Sequence, residues 1–252
     1  YGFSVYPIIT KAAGARIVMV EETDYTADVD LLLAAITPRT KIVWLANPNN
    51  PTGTYLSDAE VRRLHAGLRP DILLVIDSAY AEYVTAADYS VGLELVAEAS
   101  NVVMVRTFSK MGLAAARIGW LVGSPELVDV INRIRGPFNV NLPGQLAAAA
   151  ATRDTEFTAK LRAHNAQWRA WLTEELDSNH IHVVPSQGNF VLVLFPDADH
   201  ARMAFDALLQ RGLIVRELEA SYGIADGLRI SIGSEQAMRG VVGILKALVK
   251  TA

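Results

Sequence analysis

The chain has 252 residues, of which 51% are hydrophobic and 20% charged, and its net charge is −4. That length supports one large core or two smaller ones, and the interspersed charges leave no basic face for nucleic acid and no polybasic tract for anionic lipid. There is no cysteine, which excludes disulfides, thiolate metal sites and cysteine nucleophiles, and fits a reducing compartment such as the cytoplasm.

Taken in chain order, short apolar runs at residues 15–20, 41–46, 72–76 and 102–105 read as buried parallel strands. None approaches the length of a membrane span. Amphipathic segments separate them. One has a defined start, because Ser57-Asp58-Ala59-Glu60 has the form of a capping box and opens a helix running towards Leu68. Strands alternating with helices predict an α/β sheet. Only about a dozen residues separate the run at 102–105 from the next one at 118–122. Most of them have loop character, so a helical crossover barely fits and the strand at 118–122 is expected to be antiparallel.

The run Gly136-Pro137-Phe138-Asn139-Val140-Asn141 breaks the pattern. It predicts a joint at 136–145 between a first domain at 1–135 and a smaller α+β domain at 146–252. In the second part a long helical stretch covers about 143–176, interrupted near Arg153-Asp154. Strands follow at 182–184 and 190–194, then a helix at 198–211, a strand at 228–232 and a last helix from Ser234.

Four polar features fall at one end of the first sheet. Asn47-Pro48-Asn49-Asn50-Pro51-Thr52-Gly53 follows one strand, Asp77 the next and Ser109-Lys110 the third, while Arg117 precedes the antiparallel strand. Open α/β sheets bind ligands beyond the carboxyl ends of their strands. An amide, a carboxylate, an amine and a guanidinium are thereby aimed into one crevice.

These pieces, together with Val75-Ile76-Asp77-Ser78-Ala79-Tyr80, Arg106-Thr107-Phe108-Ser109-Lys110 and Arg117-Ile118-Gly119-Trp120, resemble the fold-type-I aminotransferases. Within that superfamily the sequence is most similar to histidinol-phosphate aminotransferases, and the similarity extends to Phe138-Asn139-Val140-Asn141 and Leu228-Arg229-Ile230-Ser231-Ile232-Gly233. The ordered set is specific, whereas each piece alone is weak. The resemblance implies a three-layer α/β sandwich with a mostly parallel sheet, a smaller α+β domain and pyridoxal 5'-phosphate as cofactor. It also implies a cytoplasmic homodimer acting on a small-molecule amino donor and a keto acceptor, with no metal, nucleic acid or membrane partner.

The implied roles agree with the chemistry of the side chains. Lys110 forms the Schiff base and moves protons, which suits an amine desolvated near other cations. Asp77 pairs with the pyridine nitrogen and keeps the ring an electron sink. Asn50 and Tyr80 bond the ring's phenolic oxygen. Ser109 and Arg117 hold the phosphate, the arginine through its planar fork. Tyr1 stacks on the ring, Arg229 binds the substrate carboxylate, and Asn189, just before a strand, is a further candidate for substrate contact. Arg117 comes seven residues after Lys110, where many relatives have eight. The resemblance also implies roughly a hundred further residues before Tyr1, an ordinary increment of domain size. They would include a strand lying between those at 15–20 and 41–46.

Each residue alone admits a plainer role. Lys110 could be a surface charge, Asp77 a helix cap, the Asn-Pro loop only a turn, Tyr80 a core residue, Arg229 half of a structural ion pair and Asn189 a turn residue. His180 and His182 read as a solvated pair with no carboxylate ligand nearby, and Trp44, Trp120, Trp168 and Trp171 as core or interface residues. Transamination of histidinol phosphate with 2-oxoglutarate is the reading favoured. Its alternatives are an aromatic, aspartate or alanine aminotransferase, a pyridoxal-phosphate-dependent phospho-amino-acid decarboxylase, and the ligand-sensing domain of a transcription regulator.

Overall fold

The structure is a computed structural model and describes residues 1–249. Its first sheet contains β1 (Ile42–Ala46), β2 (Leu73–Asp77), β3 (Val102–Thr107) and β4 (Gly119–Val122), in that spatial order. The first three strands are parallel. β4 runs antiparallel to β3, with Arg106 opposite Trp120 and Thr107 opposite Gly119. The short connection explains this: residues 109–116 form two 3-10 turns instead of a crossover helix. The helices of this part are α1 (Val5–Ala12), α2 (Val29–Ala34), α3 (Asp58–Ala66) and α4 (Leu93–Glu98). Val29, Val61, Leu64 and Leu95 from the last three pack on Leu45, Leu74, Ile76, Val102 and Met104 of the strands. Ser57 caps α3 as its sequence predicts, accepting from the Glu60 amide at 3.3 Å. The Glu60 carboxylate takes part in an ion pair with Arg63.

Residues 15–20 are not a strand. A strand persists by pairing its backbone with a neighbour, and among the described residues this run finds none, because β1 is the outermost strand of the sheet. Val18 and Met19 are 50% and 85% exposed there. An apolar run reports a tendency to extend, not the presence of a partner.

After α5 (Pro125–Ile134) the chain passes through residues 135–141 to α6 (Leu142–Arg153) and the long α7 (Thr155–Asp177). Asp154 makes the break expected there: its carboxylate accepts from the Phe157 amide at 2.9 Å and starts α7. The second sheet holds β5 (His182–Val184), β6 (Phe190–Leu194), β7 (Arg216–Leu218) and β8 (Ile224–Ser231), in the order β5-β6-β8-β7 and antiparallel throughout. α8 (Ala198–Gln210), the one-turn α9 (Glu219–Tyr222) and α10 (Glu235–Val249) complete it. Trp168, Leu172, Leu176, Val191, Val193, Leu208, Leu228, Ile230 and Leu245 form its core. β7 has no counterpart in the sequence reading, because three residues starting with Arg216-Glu217 carry no apolar run.

Several hydrogen bonds join the two parts of the chain. The Gln187 amide donates to the Gly53 carbonyl at 2.7 Å. On α7, buried Arg169 donates to the carbonyls of Tyr83 and Gly188 at 3.2 and 3.0 Å and to the Thr85 hydroxyl at 3.1 Å. No described helix is long and apolar enough to cross a membrane.

Candidate active site

The turn after β1 is polar in sequence yet buried along residues 47–54. Burial of so many polar groups requires each to find a partner. Asn47 exchanges two bonds with the Leu56 backbone, at 3.0 and 2.8 Å. Thr52 and Thr54 share a hydroxyl bond of 2.8 Å, and Asn49 donates to Glu22 at 2.6 Å. The Asn47-Pro48 and Asn50-Pro51 peptides are cis. Asn50 faces the second sheet: its carbonyl accepts from the Arg229 guanidinium at 2.5 Å, and its amide donates to the Tyr222 hydroxyl at 3.3 Å.

Asp77 ends β2, and its Oδ1 accepts from the Ala79 amide at 3.1 Å. Its Oδ2 accepts from the Tyr6 hydroxyl at 2.5 Å. Burial pushes the Asp77 carboxyl up, against the Tyr6 bond, the Ala79 amide and the Lys110 charge, which draw it down. Lys110 lies half-buried in the first 3-10 turn beyond β3, its Nζ 5.1 Å from the centre of the Tyr80 ring. Tyr80 is buried edge-on against Phe190 of β6, so it bridges both sheets. The Tyr83 hydroxyl donates to the Lys110 carbonyl and lies against the Asn189 amide. Burial pushes the Tyr83 phenol up to about 12, which keeps it a donor.

Arg229 projects from β8 over the face of Phe190, 4.9 Å from the ring centre. Burial lowers its pKa, and the charge of Arg216, its cross-strand partner on β7, lowers it further. Its Nε is buried without a hydrogen-bond partner. A desolvated guanidinium with a spare donor and no carboxylate beside it is suited to an anionic ligand.

Contacts thus link Asp77 to Lys110, Lys110 to Tyr80, Tyr80 through Phe190 to Arg229, and Arg229 to Asn50, while Tyr83 joins Lys110 to Asn189. Ser109 and Arg117 share the segment after β3, but Arg117 is exposed, holds a left-handed backbone at φ 56°, and donates to the Ala114 carbonyl at 2.8 Å. Tyr1 stacks 6.2 Å from Tyr25 and meets Tyr222 edge-on, so it lies on the Arg229 side of the crevice, while Tyr6 occupies the Asp77 side. Tyr6, Tyr83 and Tyr222 were not singled out in the sequence, since no motif or strand end marks them.

The donor set suits a phosphorylated pyridine aldehyde: an amine to bind the aldehyde carbon, a carboxylate for the ring nitrogen, and an amide and a phenol for the ring oxygen. Comparison with known proteins decides the family. Residues 1–245 match the family model described as aminotransferase class I and II. The chain belongs to the class I and II aminotransferases. Its activity class is pyridoxal-phosphate-dependent amino-group transfer. This aminotransferase is 52% identical over 250 residues to a histidinol-phosphate aminotransferase of Nitrobacter winogradskyi, covering 98% of the present chain and 68% of that protein. A histidinol-phosphate aminotransferase of Rhodopseudomonas palustris strain BisB18 is 54% identical over 246 residues, covering 96% and 67%. Among solved structures, the histidinol-phosphate aminotransferase of Sinorhizobium meliloti in complex with pyridoxal-5'-phosphate superposes with a TM-score of 0.91 at 29% identity, covering 99% of the aminotransferase described here and 68% of that chain. A decarboxylase from Sulfurospirillum multivorans superposes at 0.80 with 25% identity, covering 90% and 67%. The expected α/β architecture of the pyridoxal-phosphate transferases is therefore the one adopted.

Proposed function

We propose that this aminotransferase moves the amino group between histidinol phosphate and 2-oxoglutarate, giving imidazole acetol phosphate and glutamate. The observation that carries the reading is the Arg229 guanidinium, buried over Phe190 with an unpartnered Nε and tied to Asn50. Arg216 stands opposite it on β7, so two cations are available to substrates that are anionic in both half-reactions. Support for the substrate comes from the relatives, which carry that name at 52–54% identity.

In this reading pyridoxal 5'-phosphate supplies an electron sink for the pair of electrons left when a bond to the substrate carbon breaks. Lys110 binds the cofactor through its amine and carries the proton at the substrate carbon. Asp77 holds the ring nitrogen in its charged form. Asn50 and Tyr80 donate to the ring oxygen, Ser109 and Arg117 bind the phosphate, and Tyr1 packs against the ring. Arg229 binds a carboxylate of glutamate or 2-oxoglutarate and the phosphate of histidinol phosphate, and Asn189 also meets the substrate.

The same reading divides the chain into a cofactor domain at 1–135, a joint at 136–145 and a small domain at 146–252, a division supported by the two separate cores. It also makes the protein a homodimer, and the cysteine-free sequence accords with a cytoplasmic setting. Val130 and Ile134 on α5, Phe138, and Leu142 and Leu146 on α6 are exposed, Phe138 to 97%, and supply apolar surface for a second copy.

The test is a substrate panel on the full-length protein with 2-oxoglutarate as acceptor. Histidinol phosphate should exceed aspartate, alanine and phenylalanine in kcat/KM by at least tenfold. A preference for one of the other three would replace the substrate while leaving the family intact. Loss of carbon dioxide from a phospho-amino acid without formation of glutamate would favour the decarboxylase reading.

A further inference from the structure

We propose that Tyr6 is a positioning residue for Asp77, its hydroxyl holding the carboxylate ionised and aimed at the ring nitrogen of the cofactor. The inference rests on the reading of Asp77 given above. The two residues lie 71 positions apart and meet through a 2.5 Å bond from the Tyr6 hydroxyl to Oδ2. The Tyr6 ring is held on both sides. It stacks on Trp44 of β1 at 4.9 Å with planes 16° apart, and Phe3 meets it edge-on at 6.0 Å.

The geometry has a chemical consequence. A phenol can give Asp77 a proton to share, and the backbone amide of Ala79 can only donate to Oδ1. Both carboxylate oxygens therefore receive a donor, an arrangement that favours the anion over the acid. Opposing this is burial, which pushes the carboxyl up; Tyr6 provides the foremost of the contributions that lower it, ahead of Ala79 and Lys110. Tyr6 itself does not compete for the negative charge, because burial and the Asp77 charge push its phenol far above the ordinary value. A bond to a charged acceptor is roughly twice as strong as a neutral one. Packing alone does not call for the hydroxyl, since phenylalanine would stack on Trp44 as well. The ring fixes the position of the oxygen, and the oxygen acts on Asp77.

An anionic partner favours the protonated ring nitrogen, so removing the Tyr6 hydroxyl should leave that nitrogen less protonated. The experiment uses the full-length protein carrying cofactor labelled with nitrogen-15 in the ring. Tyr6→Phe should move the ring-nitrogen resonance towards that of a neutral pyridine and weaken cofactor binding by roughly tenfold, as expected for one lost bond to a charged group. The thermal unfolding of the apoprotein should stay within a few degrees. Tyr6→His restores a donor and should return the resonance towards its original position. Asp77→Asn should move it further than Tyr6→Phe. A resonance that moves in Asp77→Asn but not in Tyr6→Phe overturns the role of Tyr6 and leaves Asp77 in place. A resonance unmoved by Asp77→Asn overturns the reading of Asp77 and the inference with it. If Tyr6→Phe does not fold, Trp44→Leu takes its place: loss of the stack should shift the resonance in the same direction by a smaller amount, and no shift would overturn the proposal.

Discussion

The turn at residues 47–54 and the segment at 108–117 leave strands that flank β2 on opposite sides, yet they are built in opposite ways. In the first, every residue is buried and Asn47, Asn49, Asn50, Thr52 and Thr54 all have hydrogen-bonded side chains. In the second, residues 108–117 are half-buried or exposed, the backbone makes two 3-10 turns, and Gly112 and Arg117 are left-handed. Its cross-links are fewer: the Tyr83 hydroxyl on the Lys110 carbonyl, the Asn141 amide on the Ala116 carbonyl, the Ser109 amide on the Thr107 hydroxyl, the Phe108 amide on the Ile118 carbonyl, and the Arg117 guanidinium on its own loop. The first is a wall in which movement would orphan buried polar groups. The second, which carries Lys110, has few contacts to lose on rearrangement.

Substitutions can break this division or sharpen it. The largest effect is expected for Lys110→Ala in the second segment: turnover falls below detection while the fold is retained, as read by steady-state assay and circular dichroism. Borohydride reduction of the wild-type holoenzyme followed by peptide mapping should place the cofactor on Lys110, and a label on Lys41 or Lys160 would refute the assignment. Arg229→Ala comes next. Truncating one partner of a buried charge-assisted pair costs about 2–5 kcal/mol, so the KM for glutamate should rise steeply while the KM-independent kcat changes less. An unchanged KM would hand the role to Arg216. Thr52→Val tests the wall itself. It leaves buried partners unsatisfied and should lower stability by roughly 1–3 kcal/mol in denaturant melts, with little effect on cofactor absorbance. The smallest change is Gly112→Ala. Nothing lies within 4 Å of the added carbon, so only the positive φ resists it, and a loss of about 1 kcal/mol is expected. A Gly112→Ala cost larger than that of Thr52→Val would reverse the contrast between the two segments.

Asn50, Asp77 and Lys110 were legible in the sequence for one reason: each follows an apolar run whose carboxyl end can be read locally. The antiparallel course of β4 was legible from the shortness of its connection. Other features depend on information no local window holds. The bond from Tyr6 to Asp77 and the reach of Arg169 to Tyr83 and Gly188 join distant residues through side chains at ordinary helical positions. Residues 15–20 were over-read, since their composition favours extension but no described strand pairs with them. Three-residue β7 was under-read, since its Arg216 and Glu217 are exposed and its pairing is supplied wholly by β8.

The guanidinium of Arg169 has a consequence for how the molecule comes apart. Its acceptors belong to both parts of the chain, the Tyr83 carbonyl and Thr85 hydroxyl on one side and the Gly188 carbonyl on the other. Separating the two parts breaks its bonds to Tyr83 and Thr85, so opening either core costs contacts that the other holds in place. Arg169 therefore ties the melting of one core to that of the other.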